Sequence, residues 1–230
     1  MTDYRALLAQ RGQTHWWAAG MRRITWALLG EVGGRLLDVG CGPGWLLKEL
    51  PPAAWGVGVD RRREQVVAHP FVLADAGRLP FADRTFDLVL ALDLLEQGGL
   101  DPVQALVEAR RVLLSGGRLL IRVPAHPWLL GPHDAFWGGV RRYRRGELAA
   151  LVRRAGFTVR RLSYANGLLF PAEVFVRLLA RLGLIAGDDL RGLPRPLNRL
   201  LAGILTLEAT WLRRHDLPLG LSLVCLAEKW

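Results

Sequence analysis

The stretch Leu36-Leu37-Asp38-Val39-Gly40-Cys41-Gly42-Pro43-Gly44 decides the fold. An apolar run enters a turn with glycine at 40, 42 and 44. Glycine reaches positive φ without strain and lets a ligand approach bare backbone. A helix opening after such a turn would add free N–H groups. The next apolar run, Trp55–Val59, ends at Asp60, twenty residues past Gly40. A carboxylate there can accept hydrogen bonds from both hydroxyls of a ribose.

Outward from this unit the same rhythm continues. Candidate strands are Arg35–Val39, Trp55–Val59, Phe71–Ala74, Phe86–Leu92, Arg118–Val123, Phe157–Leu162 and Leu219–Ala227. Helical patterns lie between them, such as Val103–Leu114 closed by Gly116-Gly117, and Gly146–Ala155 closed by Gly156. Strands rich in Val and Leu with little alternation are buried on both faces, as parallel strands under helices must be. The class is therefore α/β, doubly wound and Rossmann-like. Residues 2–30 read as one or two amphipathic helices.

Two details choose between ligands. A dinucleotide fingerprint wants a third glycine at position 45, where this chain has Trp45. Asp38 stands two residues before the first glycine, at the mouth of the site. A carboxylate there repels a pyrophosphate and suits an ammonium group, which S-adenosylmethionine carries. A third acid, Asp75, follows the third strand with Ala76, where a carboxylate and the next N–H can read the amino edge of adenine.

With the segments Leu79-Pro80-Phe81, Phe86 to Glu96 and Glu108 to Pro124 added, residues 35–123 resemble the class I S-adenosylmethionine-dependent methyltransferases. The likeness is strongest to the type 11 and 12 group that includes the ubiquinone and menaquinone biosynthesis enzymes. It implies a seven-stranded sheet of order 3-2-1-4-5-7-6 with an antiparallel last strand. It also implies that Asp38, Gly40, Gly42, Asp60, Asp75, Ala76 and Leu92 line the cofactor, with Cys41, Gly44 and Arg61 beside them. Where relatives often read Leu-Glu-His, this chain reads Leu95-Glu96-Gln97. The flank His15-Trp16-Trp17 before Gly20-Met21-Arg22-Arg23 resembles a narrower subgroup. There Trp16 would lid the cofactor and Arg22 would meet its methionine carboxylate.

The acceptor belongs beyond the carboxyl ends of the fourth and fifth strands. The segment after the fifth strand is too long for a plain connector, and loops of that length tend to be functional. Its His133-Asp134, Arg141-Arg142-Tyr143 and Glu147-Leu148 resemble the substrate-side loop of quinone-type methyltransferases. His133 is the candidate base, Asp134 its orienter, and Arg142 and Tyr143 the candidate substrate contacts. His126 is a second candidate base.

Residues 166–218 intervene where the sixth and seventh strands are ordinarily joined directly. Leu197, Leu200, Ile204, Leu207 and Trp211 recur at helical spacing, as do Phe170, Val174, Leu178 and Leu182. The expected organisation is a cap over 1–34, a cofactor domain over 35–165 and 219–230, and a helical insert over 166–218. The insert covers the acceptor side, meets a second copy of the chain or touches a lipid interface, with arginines against anionic head groups.

The formal net charge is +10 over 230 residues, and only Lys48 and Lys229 are lysines. The arginines are scattered rather than massed or interleaved with stacking aromatics, which argues against nucleic acid. Cys41 and Cys225 have no metal-ligand spacing, so no metal and no disulfide framework is expected. No uncharged apolar stretch reaches spanning length and the N-terminus has no signal-peptide run, so a cytoplasmic monomer or homodimer is expected. The reading is a methyltransferase acting on oxygen or carbon of a small or lipid-like acceptor. A nucleic-acid methyltransferase, or an idle binding or scaffold protein on the same fold, stands as the alternative.

Overall fold

Leu36 and Leu37 are consecutive and both fully buried, as are Val89 and Leu90. Such pairs require a sheet covered on both faces. The computed structural model describes residues 14–62, 69–181 and 193–230. Its strands are β1 (Gly34–Val39), β2 (Ala54–Asp60), β3 (Phe71–Leu73), β4 (Phe86–Leu92), β5 (Leu113–Pro124), β6 (Thr158–Ala165) and β7 (Ser222–Glu228). They form one sheet in the order β3-β2-β1-β4-β5-β7-β6, the order expected. β7 runs antiparallel to both neighbours, with Ile121 opposite Cys225 and Leu162 opposite Cys225.

The helices are α1 (Trp16–Leu29), α2 (Pro102–Val112), α3 (Pro132–Phe136), α4 (Arg145–Arg154), α5 (Phe170–Arg181) and α6 (Arg195–Leu212). α2 opens on Asp101, whose side chain accepts from the N–H of Val103, with Pro102 in its first turn. On one face of the sheet α2 and α4 bury Leu106, Val112, Leu148 and Val152 against Leu37, Val89 and Ile121. On the other, Met21 and Ile24 of α1 and Leu205 and Leu212 of α6 cover Leu36, Leu90 and Leu120. Each fully buried aliphatic side chain contributes about 1.5–3 kcal/mol.

The chain-distant helices α1 and α6 are held together at close range. A Cβ on Gly20 would stand 2.5 Å from Cβ of Leu205, so only glycine permits this approach. Asn198 of α6 accepts from the N–H of Trp16 (2.9 Å) and donates to the carbonyl of Thr14 (2.8 Å), and so completes the open end of α1. Glu208 of α6 is wholly buried, and its carboxylate accepts from the backbone N–H of Asn166, Gly167 and Leu168, which fixes the end of β6.

Three expectations change. No α-helix follows the glycine loop, only a short 3-10 turn at Leu47–Glu49, because Pro51 and Pro52 leave no room for one. The apolar stripe predicted on 197–211 is not the one that packs: Leu200, Leu207 and Trp211 are exposed, while Leu205, Ala209 and Leu212 are buried. Leucine is so frequent in this helix that two faces read as apolar, and tertiary contact with α1 selects between them. Of the second stripe, Phe170 is buried, Val174 is half-buried, Leu178 is exposed, and Leu182 lies outside the described residues. The part of the predicted N-terminal helices before residue 14 also lies outside them. Among the described residues no helix is long and apolar enough to cross a membrane.

Candidate functional site

Beyond the carboxyl ends of the central strands lies one cavity of about 940 Å³. Its volume falls within the range of small-molecule sites. One half is built by the glycine loop. Gly42 has φ +49°, and the place a Cβ would occupy is open space, so bare backbone faces a visitor. Its N–H donates to Oδ2 of Asp60 (3.0 Å), while Oδ1 accepts from the N–H of Arg62 (3.1 Å). Asp60 is thereby fixed against the loop and each oxygen keeps lone-pair capacity for a ligand hydroxyl. Gly40, Cys41, Asp60, Arg61, Ala76 and Leu92 all wall the cavity. An adenosine-type ligand fits this half.

Four predicted cofactor residues sit differently. Asp38 is not at the mouth: it is 4% exposed, beneath the loop, on the sheet face that also carries Leu36. Burial pushes its carboxyl up to about 7, with Arg122 lowering it and Asp60 raising it. Asp75 is exposed at the rim, where it pairs with Arg61 (2.7 Å) and accepts from the N–H of Gly77 (2.7 Å). Gly44 does not wall the cavity. Its φ of +70° and the ring of His69 beside it make it a structural turn. Arg22 does not wall it either, and pairs instead with Glu49 at 2.8 Å. Trp16 does, together with Trp17. Trp17 lies over the guanidinium of Arg122 at 5.4 Å, and that guanidinium donates to Asp93 at 3.0 Å.

The other half lies between the segment after β5 and the helices α5 and α6. His133 walls it and is half-buried. Asp134 does not orient His133. Neighbouring residues on a helix turn in different directions, and Asp134 pairs with Arg142 at 2.8 Å and accepts from the N–H of Gly131. Arg142 walls the cavity and also donates to the carbonyl of Ala125 (3.1 Å). Burial, and then the charge of Arg177, lower its pKa, although Asp134 raises it. Tyr143 is a core residue and not a substrate contact: it is 1% exposed, and its hydroxyl donates to the carbonyl of Leu95 (2.7 Å). Burial pushes that hydroxyl up to about 12. His126 is structural, stacked on Tyr164 (5.4 Å) beside Phe170, with its ring nitrogen 3.0 Å from the carbonyl of Gly220.

Sequence reasoning missed Glu96 as a site residue. It walls the cavity, is 5% exposed, and its Oε2 has no hydrogen-bond partner among the described residues. Burial, reinforced by the nearby Asp93 carboxylate, pushes its carboxyl up to about 8. The signal was present: Glu96 closes the motif that runs out of β4 toward the acceptor side. Asn166 and Arg177 were missed as well, and both wall the same half.

Residues 37–121 match the methyltransferase domain family. Residues 37–121 carry a class I, S-adenosylmethionine-dependent methyltransferase domain of the type 11 group. The chain is 33% identical over 189 residues to an uncharacterized 37.1 kDa protein in transposon TN4556 of Streptomyces fradiae, a match covering 75% of this chain and 54% of that one. It is 36% identical over 112 residues to the ubiquinone/menaquinone biosynthesis C-methyltransferase UbiE of Burkholderia mallei, covering 42% and 45%. The chain thus spans about half the length of the curated relatives it matches. A solved geranyl diphosphate methyltransferase, in complex with geranyl diphosphate and sinefungin, shares the fold at TM-score 0.62 and 14% identity, over 93% of this chain and 79% of that one. S-adenosylmethionine is the cofactor of this family, and the glycine loop with Asp60 suits its adenosine.

Proposed function

We propose that this chain transfers the methyl group of S-adenosylmethionine to oxygen or carbon of a small or lipid-like acceptor. The observation that carries this is the continuity of the cavity, which joins Gly42 and Asp60 to an apolar half walled by Trp137, Val176, Leu197 and Leu201. Donor and acceptor can meet there out of water. Positioning of this kind can supply roughly 7–11 kcal/mol of a barrier. The names of two relatives point the same way, one a quinone-biosynthesis C-methyltransferase and the other bound to geranyl diphosphate.

S-adenosylmethionine supplies the methyl group when bound, and the chain's residues do the rest. Trp16 and Trp17 close the cofactor side, and Asp60 receives the ribose hydroxyls. His133, or Glu96 once it has released the proton that burial makes it hold at neutral pH, takes the proton an acceptor hydroxyl loses as it attacks. α5 and α6, within the 166–218 insert, roof the acceptor half. The test is incubation with methyl-labelled S-adenosylmethionine and a panel holding a quinol, a prenyl diphosphate and a short oligonucleotide. Label in the quinol or prenyl compound supports the reading. Label confined to the oligonucleotide would replace it with a nucleic-acid enzyme.

A further inference from the structure

Four buried polar atoms that wall the acceptor half have no hydrogen-bond partner among the described residues: Oε2 of Glu96, Nε of Arg142, Oδ1 of Asn166 and Nε of Arg177. Native interiors leave few such atoms, because each one buried without a partner opposes folding. These four come from the ends of β4 and β6, the segment after β5, and α5. A shared cavity, rather than shared sequence, brings them together. Two are donors and two are acceptors.

Their charges are uneven. Asp134 offsets Arg142, whereas Arg177 has no ion pair among the described residues. The positive charge of Arg177 is felt at Arg142. Beside these groups Val176, Leu193, Leu197, Leu201 and Leu221 provide an aliphatic wall.

Resting on the methyltransferase reading above, we propose that the acceptor is an amphiphile with an acidic, hydroxyl-bearing head. Arg142 and Arg177 receive its anion through charge-assisted hydrogen bonds. Glu96 and Asn166 receive its hydroxyl, and its chain lies along the aliphatic wall. Both guanidinium groups wall the same half of the cavity, and the charge of Arg177 is felt at Arg142, so an anion bound there relieves their repulsion. The hydroxyl donates to an oxygen that otherwise goes without a donor.

Calorimetry on protein loaded with S-adenosylhomocysteine tests this. Titration with S-adenosylhomocysteine comes first for each variant, and its failure would sink the methyltransferase reading rather than this one. Loaded protein is then titrated with octyl phosphate, 1-octanol, octyltrimethylammonium and inorganic phosphate. Octyl phosphate should bind tightest. Arg177→Gln should weaken it by about tenfold or more, the loss of one charge-assisted hydrogen bond, and leave octanol unchanged. Arg177→Lys should restore part of the preference, and the exposed control Arg199→Gln should change nothing. Equal binding of the phosphate and the alcohol, or of wild type and Arg177→Gln, would overturn the proposal. So would binding to phosphatidylglycerol vesicles that Arg177→Gln leaves intact while octyl phosphate does not bind, because the anion would then be read at the surface.

Discussion

The carboxylate of Asp134 lies 2.8 Å from a guanidinium nitrogen of Arg142, and the two side chains are only 7% and 3% exposed. The pair ties the short helix α3 to the chain that returns to α4 and holds Arg142 in the cavity wall. Breaking such a pair leaves an uncompensated buried charge, at a cost of about 3–5 kcal/mol. Asp134→Ala should therefore lose stability of that order in urea unfolding. Asp134→Leu with Arg142→Met should recover most of it. A single variant within about 0.5 kcal/mol of wild type, as is usual for surface changes, would show that the pair is open to water.

Stability should fall as pH rises through neutrality. Glu96 is raised from 4.5 to about 8 and Asp38 from 3.8 to about 7. The folded chain keeps these protons where the unfolded chain has released them. Their stabilisation is complete below about pH 4 and is lost as pH climbs through 7 and 8. Each unit of displacement is worth about 1.4 kcal/mol. Thermal melts from pH 5 to 9 should decline, and Glu96→Gln should flatten the upper part of that slope. A rising curve in wild type would contradict both assignments.

Gly20 tests the seam between α1, on the cofactor side, and α6, on the acceptor side. Gly20→Val drives a branched side chain into Leu205. Overpacking of this kind costs about 1–3 kcal/mol. Urea midpoints should fall accordingly, with Gly20→Ala falling less. An unchanged Gly20→Val protein would mean that α1 and α6 are not in contact there.

The frame of this molecule was legible because its signals are local. β4 was read with the bounds it has, Phe86–Leu92, since an unbroken apolar run between polar residues has one sensible burial. The glycine loop and Asp60 follow from a turn and a spacing between two consecutive strands, β1 and β2. What could not be read depends on partners far along the chain. Asp134 stands beside His133 in sequence, yet its partner is Arg142. Tyr143 carries a polar tip but finds its acceptor inside the core, at Leu95. On α6 two apolar faces compete, and only the fit of Gly20 against Leu205 decides between them. Glu96 looked like an ordinary motif acid until the cavity showed one oxygen without a donor.

Asp60→Ala should weaken S-adenosylhomocysteine far more than it weakens the fold. Hydrogen bonds to a charged group are worth roughly 1.5–3 kcal/mol, about a ten- to hundredfold loss in affinity. The variant also leaves the N–H groups of Gly42 and Arg62 without their acceptor, so its melting temperature should drop slightly. Unchanged affinity in folded variant protein would place the ribose elsewhere.

The central claim is that the glycine loop serves S-adenosylmethionine and not a dinucleotide. Thermal unfolding of the purified chain with S-adenosylhomocysteine, S-adenosylmethionine or NAD tests it most directly. Ligand at about 100 times its dissociation constant adds about 2.7 kcal/mol of stability. The account predicts that shift with both sulfur compounds and none with NAD. A shift with NAD and with neither sulfur compound would contradict it.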